Sequence, residues 1–600
     1  MRAIAHTARR FGHGTRRSSR RLLTRDVTRI LAGGVIALVV GLKAPAQDPP
    51  QTNSPANASQ QTTVHGLVRN GVSGEPVPRA LVRIGGDAST GVLTDGEGRF
   101  EIADVPEGPQ EFTVVKPGFL DEAEAVAASN ARNSHGYGHN VIIAVPMGDV
   151  AFTMDPTNAI RGQIQLSTGD VAEGIQVTLM RRTVQDGRVV WQSEANAKTN
   201  SEGVYRFGEL SDGEYAVYTE PTMGSEAATN LVASGSGSNV VREGYASVFY
   251  PDARDLASAA KIRVAGGGQA QANIALTLEP FQSVTATVTM PKASFGSGEN
   301  VAIQVTDAQS HPLPYTAQYD ASTRAVQATL PEGTYSFLAL SQTNEFHVLS
   351  ARGGESVNLT AVNPRVSRGE TSFTVAGHAV SNLRIPMSEA RGNPIQVTVE
   401  RGANGSSSSS DTRIFVTLSQ TGGGLADGMV GSYAEGSIAA PLETQNPPPG
   451  SYWVHTSISP KTLCEASFTA GGASLAHEPL VLGIAGTAAP LVLALRDDCG
   501  QLTLSLPGSV GLGAGEERFY TVYAVPDFDS TEDVVPQTLR PSTGGRITLT
   551  GLTPGNYHVY TLSRPVALEY RNPTVLASLQ GQAVAVAPGT ETDLTVEVPQ

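Results

Sequence analysis

Leu330-Pro331-Glu332-Gly333-Thr334-Tyr335 reads as a tight turn that delivers a strand. Pro and Glu turn the chain, Gly333 relaxes it, and Tyr335 enters a core while its hydroxyl can bond back to the turn. The same pattern recurs at Val105-Pro-Glu-Gly108, Leu210-Ser-Asp-Gly213-Glu-Tyr215, Pro448-Pro-Gly450-Ser-Tyr452 and Leu552-Thr-Pro-Gly555-Asn-Tyr557. Its glycines are 105, 120, 117 and 105 residues apart. That period is the size of one small β-sandwich, so the chain reads as an all-β tandem array of about five small sandwiches, Ig-like in their tyrosine corners.

Working outward, apolar and polar residues alternate in runs such as Ile175-Gln-Val177-Thr-Leu179 and Ile395-Gln-Val397-Thr-Val399, the mark of strands with one buried face. Asp186-Gly187 falls between two such runs and predicts a hairpin. The expected divisions are a signal peptide at 1–46, a linker at 47–61, and sandwiches at 62–156, 157–279, 280–388, 389–496 and 497–600.

The leader holds nine arginines, Lys43 and Asp26, then an apolar run from Ile30 to Leu42, then Ala44-Pro45-Ala46. This is the pattern of a cleavable export signal with cleavage after Ala46 and a mature start at Gln47. The apolar run is short of the ~20 residues a membrane helix needs, so contact with a membrane is expected only through an uncleaved signal. Ser19-Arg20-Arg21-Leu22-Leu23 resembles a twin-arginine motif. The expected destination is the periplasm, the cell surface or the medium.

The whole chain has 42 basic and 56 acidic residues; without the leader 32 and 55 remain, a net charge of −23. Such a surface repels phosphate backbones, which argues against nucleic-acid partners. Cys464 and Cys499 are its two cysteines, and in an oxidising compartment they are a candidate disulfide, two free thiols being the alternative.

Within residues 62 to 120 the order of signals is Val64-His-Gly66-Leu-Val68, Gly74-Glu-Pro76-Val-Pro78-Arg-Ala80-Leu-Val82, Thr94-Asp95-Gly-Glu-Gly98-Arg-Phe100, then Val105 to Gly108. This stretch resembles the carboxypeptidase regulatory-like domain, and the resemblance implies a prealbumin-like or carbohydrate-binding-like sandwich. A second copy of the plan runs through Ile160-Arg-Gly162-Gln-Ile164 and Thr199-Asn-Ser-Glu-Gly203-Val-Tyr205, with Asn200 where Asp95 stood. Tyr245 to Val264 and Tyr570 to Val596 resemble pieces of multi-repeat secreted bacterial proteins that carry such a domain.

Enzymatic signals are sparse. His-x-x-Glu, His-Glu-x-x-His, Gly-x-Ser-x-Gly and Gly-Lys-Ser/Thr are all missing, which excludes the familiar zinc-peptidase, nucleophile-elbow and phosphate-loop chemistries. His135-Gly-Tyr-Gly-His139 has no third ligand nearby, and Asp95-Gly-Glu97 lacks the acidic ladder of a calcium loop. No catalytic residue, cofactor or metal site is expected. Tyr215, Tyr335, Tyr452 and Tyr557 are read as structural tyrosine corners pointing inward, so Ala216, Ser336, Trp453 and His558 should point outward. An outward Trp453 is a candidate ligand platform for a sugar or a protein, with packing against a neighbouring domain as the alternative. The functional expectation is a non-catalytic binding scaffold whose partner is a glycan or an envelope protein. A purely structural or adhesive role, or a hydrolase of unrecognised type, are the alternatives.

Overall fold

A computed structural model describes residues 61–598 apart from internal stretches, the longest being 122–140, 291–300, 349–358, 403–411, 422–431 and 508–519. The leader, His135, His139 and the interior of the 402–411 loop lie outside the described residues. Gln61, placed by the sequence at the end of a linker, already belongs to the first strand.

The period-two alternation builds strands whose apolar faces close on one another in layered sheets. In the first sandwich one sheet runs in the order Arg99–Pro106, Gln61–Asn70, Val150–Pro156, Phe119–Asp121. The facing sheet runs Gly91–Leu93, Leu81–Ile84, Gly108–Val115, Val141–Val145. Val68, Val82, Phe100, Phe112 and Phe152 fill the space between them. Each such side chain, fully removed from water, contributes about 1.5–3 kcal/mol.

Four more cores follow, around Tyr215, Phe337, Tyr452 and Tyr557. A shared topology links them. In every one, the opening strand pairs in parallel with the closing strand: Gln61–Asn70 with Val150–Pro156, Asn158–Leu166 with Gln269–Gln271 and Ile274–Leu276, Leu278–Thr289 with Val380–Pro386, Asn393–Glu400 with Leu491–Arg496, and Gly500–Ser505 with Glu591–Thr595. On its other side the opening strand meets an antiparallel neighbour, as Gln61–Asn70 meets Arg99–Pro106. The third unit departs from the two-sheet plan, because its strands form one continuous sheet wrapped around Val284, Val326, Phe337 and Phe373. Val241–Tyr245, which lies within the second unit and gives Tyr245 to its core, extends that sheet by pairing with Leu278–Thr289.

Two glycines show how the first two sandwiches share a plan. A Cβ at Gly66 would fall 2.3 Å from the Phe100 ring, and one at Gly162 would fall 2.6 Å from the Tyr205 hydroxyl. Phe100 and Tyr205 are the residues that pair directly across from these glycines. The opening strand must therefore be bare there for the aromatic to cross over it.

The residues after the corner tyrosines do not all face water. Ala216 is fully buried, because residues 249–259 fold over the outer face of its sheet and cover Met180, Ala216 and Tyr218 with Phe249 and Ala259. Trp191 packs onto the same cluster, with the Lys261 ammonium 4.8 Å from its ring centre. Ser336 is also buried, sharing a 2.8 Å hydroxyl contact with Ser372. Alternation correctly assigns a face, but a second layer decides whether that face meets solvent. The described residues contain one short helix, Pro573–Ala577, with Asn572 capping it through a 3.1 Å bond from the Thr574 amide.

Candidate functional site

The four corner tyrosines are held alike. Each phenol donates to the carbonyl four residues back: Tyr215 to Ser211 at 2.8 Å, Tyr335 to Pro331 at 3.2 Å, Tyr452 to Pro448 at 2.6 Å and Tyr557 to Thr553 at 2.7 Å. Burial lifts the phenols of all four well above the ordinary range, that of Tyr215 to about 12. They stay neutral donors, fixed in place.

Asp95 and Asn200 do the same work in the first two sandwiches. The Asp95 carboxylate accepts from the amides of Glu97 at 3.0 Å and Arg99 at 2.8 Å; the Asn200 side-chain oxygen accepts from Glu202 at 3.0 Å and Val204 at 2.9 Å. An amide oxygen replaces a carboxylate oxygen without loss. This is turn chemistry, with the acceptor turned toward backbone amides.

Cys464 and Cys499 form a disulfide with a Cα separation of 5.9 Å. It joins the start of one strand of the fourth sandwich to the connection leading into the fifth.

Among the described residues, polar side chains gather where the second, fourth and fifth sandwiches meet. Strands Gln176–Gln185 and Arg188–Lys198 form a hairpin, and Asp186 and Gly187 turn it with φ of 50° and 73°. Its tip seats on the Tyr570-Arg571 segment of the fifth sandwich. Arg571 donates its amide to the Gly187 carbonyl at 3.2 Å and its Nε to the Asp186 carbonyl at 3.2 Å, while its two terminal nitrogens reach the Ser530 and Glu532 carbonyls at 2.8 and 3.3 Å. Nearby, Arg182 pairs with Glu569 at 2.6 Å.

Trp453 belongs to this junction. Its ring is half-buried, and the Arg188 guanidinium lies 3.8 Å from the ring centre while donating to the Ala476 carbonyl at 2.6 Å. Burial first, then the neighbouring Arg571, lowers Arg188 to about 10; Tyr570, Asp186 and Asp533 oppose that shift. The protein's own cation occupies an indole face on which a sugar would have to stack.

Beside Trp453 on the same strand, buried His455 faces a carboxylate from each flank. Its Nδ1 is 3.0 Å from Asp533 and its Nε2 3.3 Å from Asp186. Donor atoms of the three residues lie within 4.8 Å of one another. The arrangement suits hydrogen bonding better than a cation, because the two nitrogens address different carboxylates and two guanidinium groups stand close by. No local sequence pattern announces this triad, since its members come from three sandwiches.

A fully buried carboxylate, Glu465, completes the contact between the fourth and fifth sandwiches. It accepts from the Thr531 amide at 2.7 Å and the Thr531 hydroxyl at 2.6 Å. Burial raises it despite these bonds. The third and fourth units meet through a smaller set: the His311 Nε2 lies 3.0 Å from the Thr421 carbonyl, and Gln420 donates to Ser310 at 3.2 Å. Buried Arg368 donates to the Pro447 carbonyl across the same boundary.

No curated protein matches the chain. Among solved structures, the Bacillus anthracis TIE protein aligns over 90% of this chain and 69% of its own at 10% identity, with a TM-score of 0.14. The minor pilin GBS52 of Streptococcus agalactiae aligns over 40% of this chain and all of its own at 12% identity and a TM-score of 0.18. The shaft pilin SpaA of Lactobacillus rhamnosus GG aligns over 36% of this chain and 98% of its own at 10% identity and a TM-score of 0.16. The model of the carboxypeptidase regulatory-like domain matches residues 63–135, so the first sandwich is similar to that family.

Proposed function

We propose that this chain is an exported, non-catalytic scaffold with a structural or protein-adhesion role in the cell envelope or outside it. The observation that carries the reading is the junction just described. Its charged and hydrogen-bonding side chains join one sandwich to another, with Asp186, His455 and Asp533 supplied by three of them. Groups arranged in this way make the array stiff. The Cys464–Cys499 bond supports an oxidising compartment, where such bonds persist. No helix among the described residues is long and apolar enough to cross a membrane. The partner in this reading is an envelope protein, engaged through several weak contacts along the array.

The test is retention of the purified chain from Gln47 on a panel of insoluble and cell-wall polysaccharides, with Trp453→Ala alongside and envelope-protein extracts in parallel. The scaffold reading expects no retention on any polysaccharide. Retention lost in the mutant would establish glycan binding instead, and turnover of any polymer would establish a hydrolase.

A further inference from the structure

In four of the five units the outer face of the sheet that carries the Gly-turn strand meets a second layer. Phe249 and Ala259 cover Ala216 and Tyr218 in the second. Arg368 of the third reaches the Pro447 carbonyl of the fourth. In the fourth, Trp453 lies under Arg188 of the hairpin and His455 against Asp533 of the fifth. In the fifth, Leu568 and Tyr570 pack on Tyr523 and Tyr560. The first unit differs. Phe112 and Val114 of its Gly108–Val115 strand point into the core, so Val115 belongs to the outer face.

On that face three apolar residues stand side by side on three adjacent strands. Leu81 pairs with Leu93 on one side and with Val115 on the other. Leu93 is 55% exposed and Val115 44%. Leu81 is partly buried and leans over the edge strand, since a Cβ at Gly91 would fall 3.2 Å from its Cδ1 and 3.1 Å from the Cγ of Arg83. Single exposed apolar residues are ordinary; a row that crosses three strands offers apolar surface that one partner can cover at once. Two cations border the row. Arg83 lies on the same face, opposite Gly91 and Thr113, and the ammonium of Lys116, next after Val115, donates to the Pro78 carbonyl at 2.8 Å. Neither makes an ion pair among the described residues.

We propose that the Leu93–Leu81–Val115 row is a docking surface for a partner protein whose contact segment carries apolar side chains flanked by carboxylates. The inference rests on the scaffold reading above and supplies the chemistry of its partner's contact. Covering the row removes apolar surface from water and gives the segment its hold. Arg83 and Lys116 set the sign of its rim, because two cations without acids select carboxylates, and they stand on a chain whose 56 acidic residues outnumber its 42 basic ones. The same charges disfavour a second copy in this place. A two-fold axis through the row would bring like cations together, with no acid of this face to answer them. The row is short, so one contact is weak, which agrees with a partner held through several such contacts along the array.

The purified chain from Gln47 can be titrated with three fluorescent synthetic peptides: leucines and valines flanked by glutamates, the same apolar residues flanked by lysines, and the glutamate peptide with serines in place of the apolar residues. Fluorescence anisotropy should show saturable binding of the first alone, weakened several-fold by about 0.5 M salt. Leu93→Ser with Val115→Ser should abolish that binding, and Arg83→Gln with Lys116→Gln should weaken it several-fold. Leu93 and Val115 are exposed, so the first pair should melt with the parent. Binding unchanged in either double variant, equal binding of the lysine peptide, or no binding of any peptide would overturn the proposal. Self-association in sedimentation that Leu93→Ser with Val115→Ser removes would also overturn it, in favour of a second copy. The scaffold reading is judged separately: retention on a polysaccharide or its turnover sinks that reading, whereas failed peptide binding with neither sinks this surface alone.

Discussion

Arg188 of the second sandwich sets its guanidinium 3.8 Å from the ring centre of Trp453 in the fourth, and so closes a contact between residues 265 positions apart in sequence. A row of independent beads would have no such contact. The hairpin that carries Arg188 acts as an arm, and its turn is the place to test whether docking matters.

Gly187 is that turn, and it has two reasons to lack a side chain. Its φ is 73°, and an added Cβ would sit 2.7 Å from the Tyr570 ring. Gly187→Ala should cost about 1–2 kcal/mol for the left-handed backbone alone. The clash with Tyr570 adds to this and should lift the arm. The measurable outcome is greater quenching of Trp453 and faster proteolysis at the tip, with the strands of the hairpin retained.

Tyr452→Phe removes one hydrogen bond from a corner whose ring stays packed. The expected loss is about 1 kcal/mol in the urea unfolding of the fourth sandwich, against about 3–5 kcal/mol for Tyr452→Ala, which also empties the core. Equal losses in the two variants would show that the bond to Pro448, and not the ring, is the dominant contribution.

The disulfide closes a loop with a sequence separation of 35. Chain-entropy reasoning assigns such a loop about 3–4 kcal/mol. Replacing both Cys464 and Cys499 by Ser should therefore lower the unfolding midpoint of the fourth sandwich by a corresponding amount. Reduction of the natural chain should do the same, while the first sandwich is unaffected.

Asp95→Asn should be nearly silent, within about 0.5 kcal/mol, because Asn200 already makes the same pair of bonds in the second sandwich. Asp95→Ala should cost about 1–2 kcal/mol, having lost both acceptor bonds. Calcium and EDTA should leave the melting temperature unchanged, and a calcium-dependent rise in melting temperature would reinstate a cation at this turn.

Local contacts were the readable part of this molecule. The corner bonds span four residues, and the Asp186-Gly187 turn joins adjacent strands, so neighbouring residues specify both. What lies on the outside of a sheet was less readable. Alternation puts Ala216 and Trp453 on the outer faces of their sheets, but Ala216 is covered by a later loop and Trp453 by an arm from another sandwich. The junction itself was illegible, since Arg571 meets the Asp186 carbonyl across 385 positions and no local pattern announces a partner so distant.

Parallel pairing of opening and closing strands has a mechanical consequence. Two parallel neighbours run the same way, so the chain enters a sandwich at one end of the pair and leaves at the other. Tension applied at the two ends therefore slides one strand along the other. The ladder between Asn393–Glu400 and Leu491–Arg496 is then loaded along its whole length at once, where a hairpin pulled from its open end would peel one bond at a time. Single-molecule stretching should accordingly record high, cooperative rupture forces for these sandwiches, and low stepwise forces would show that another strand pair gives way first.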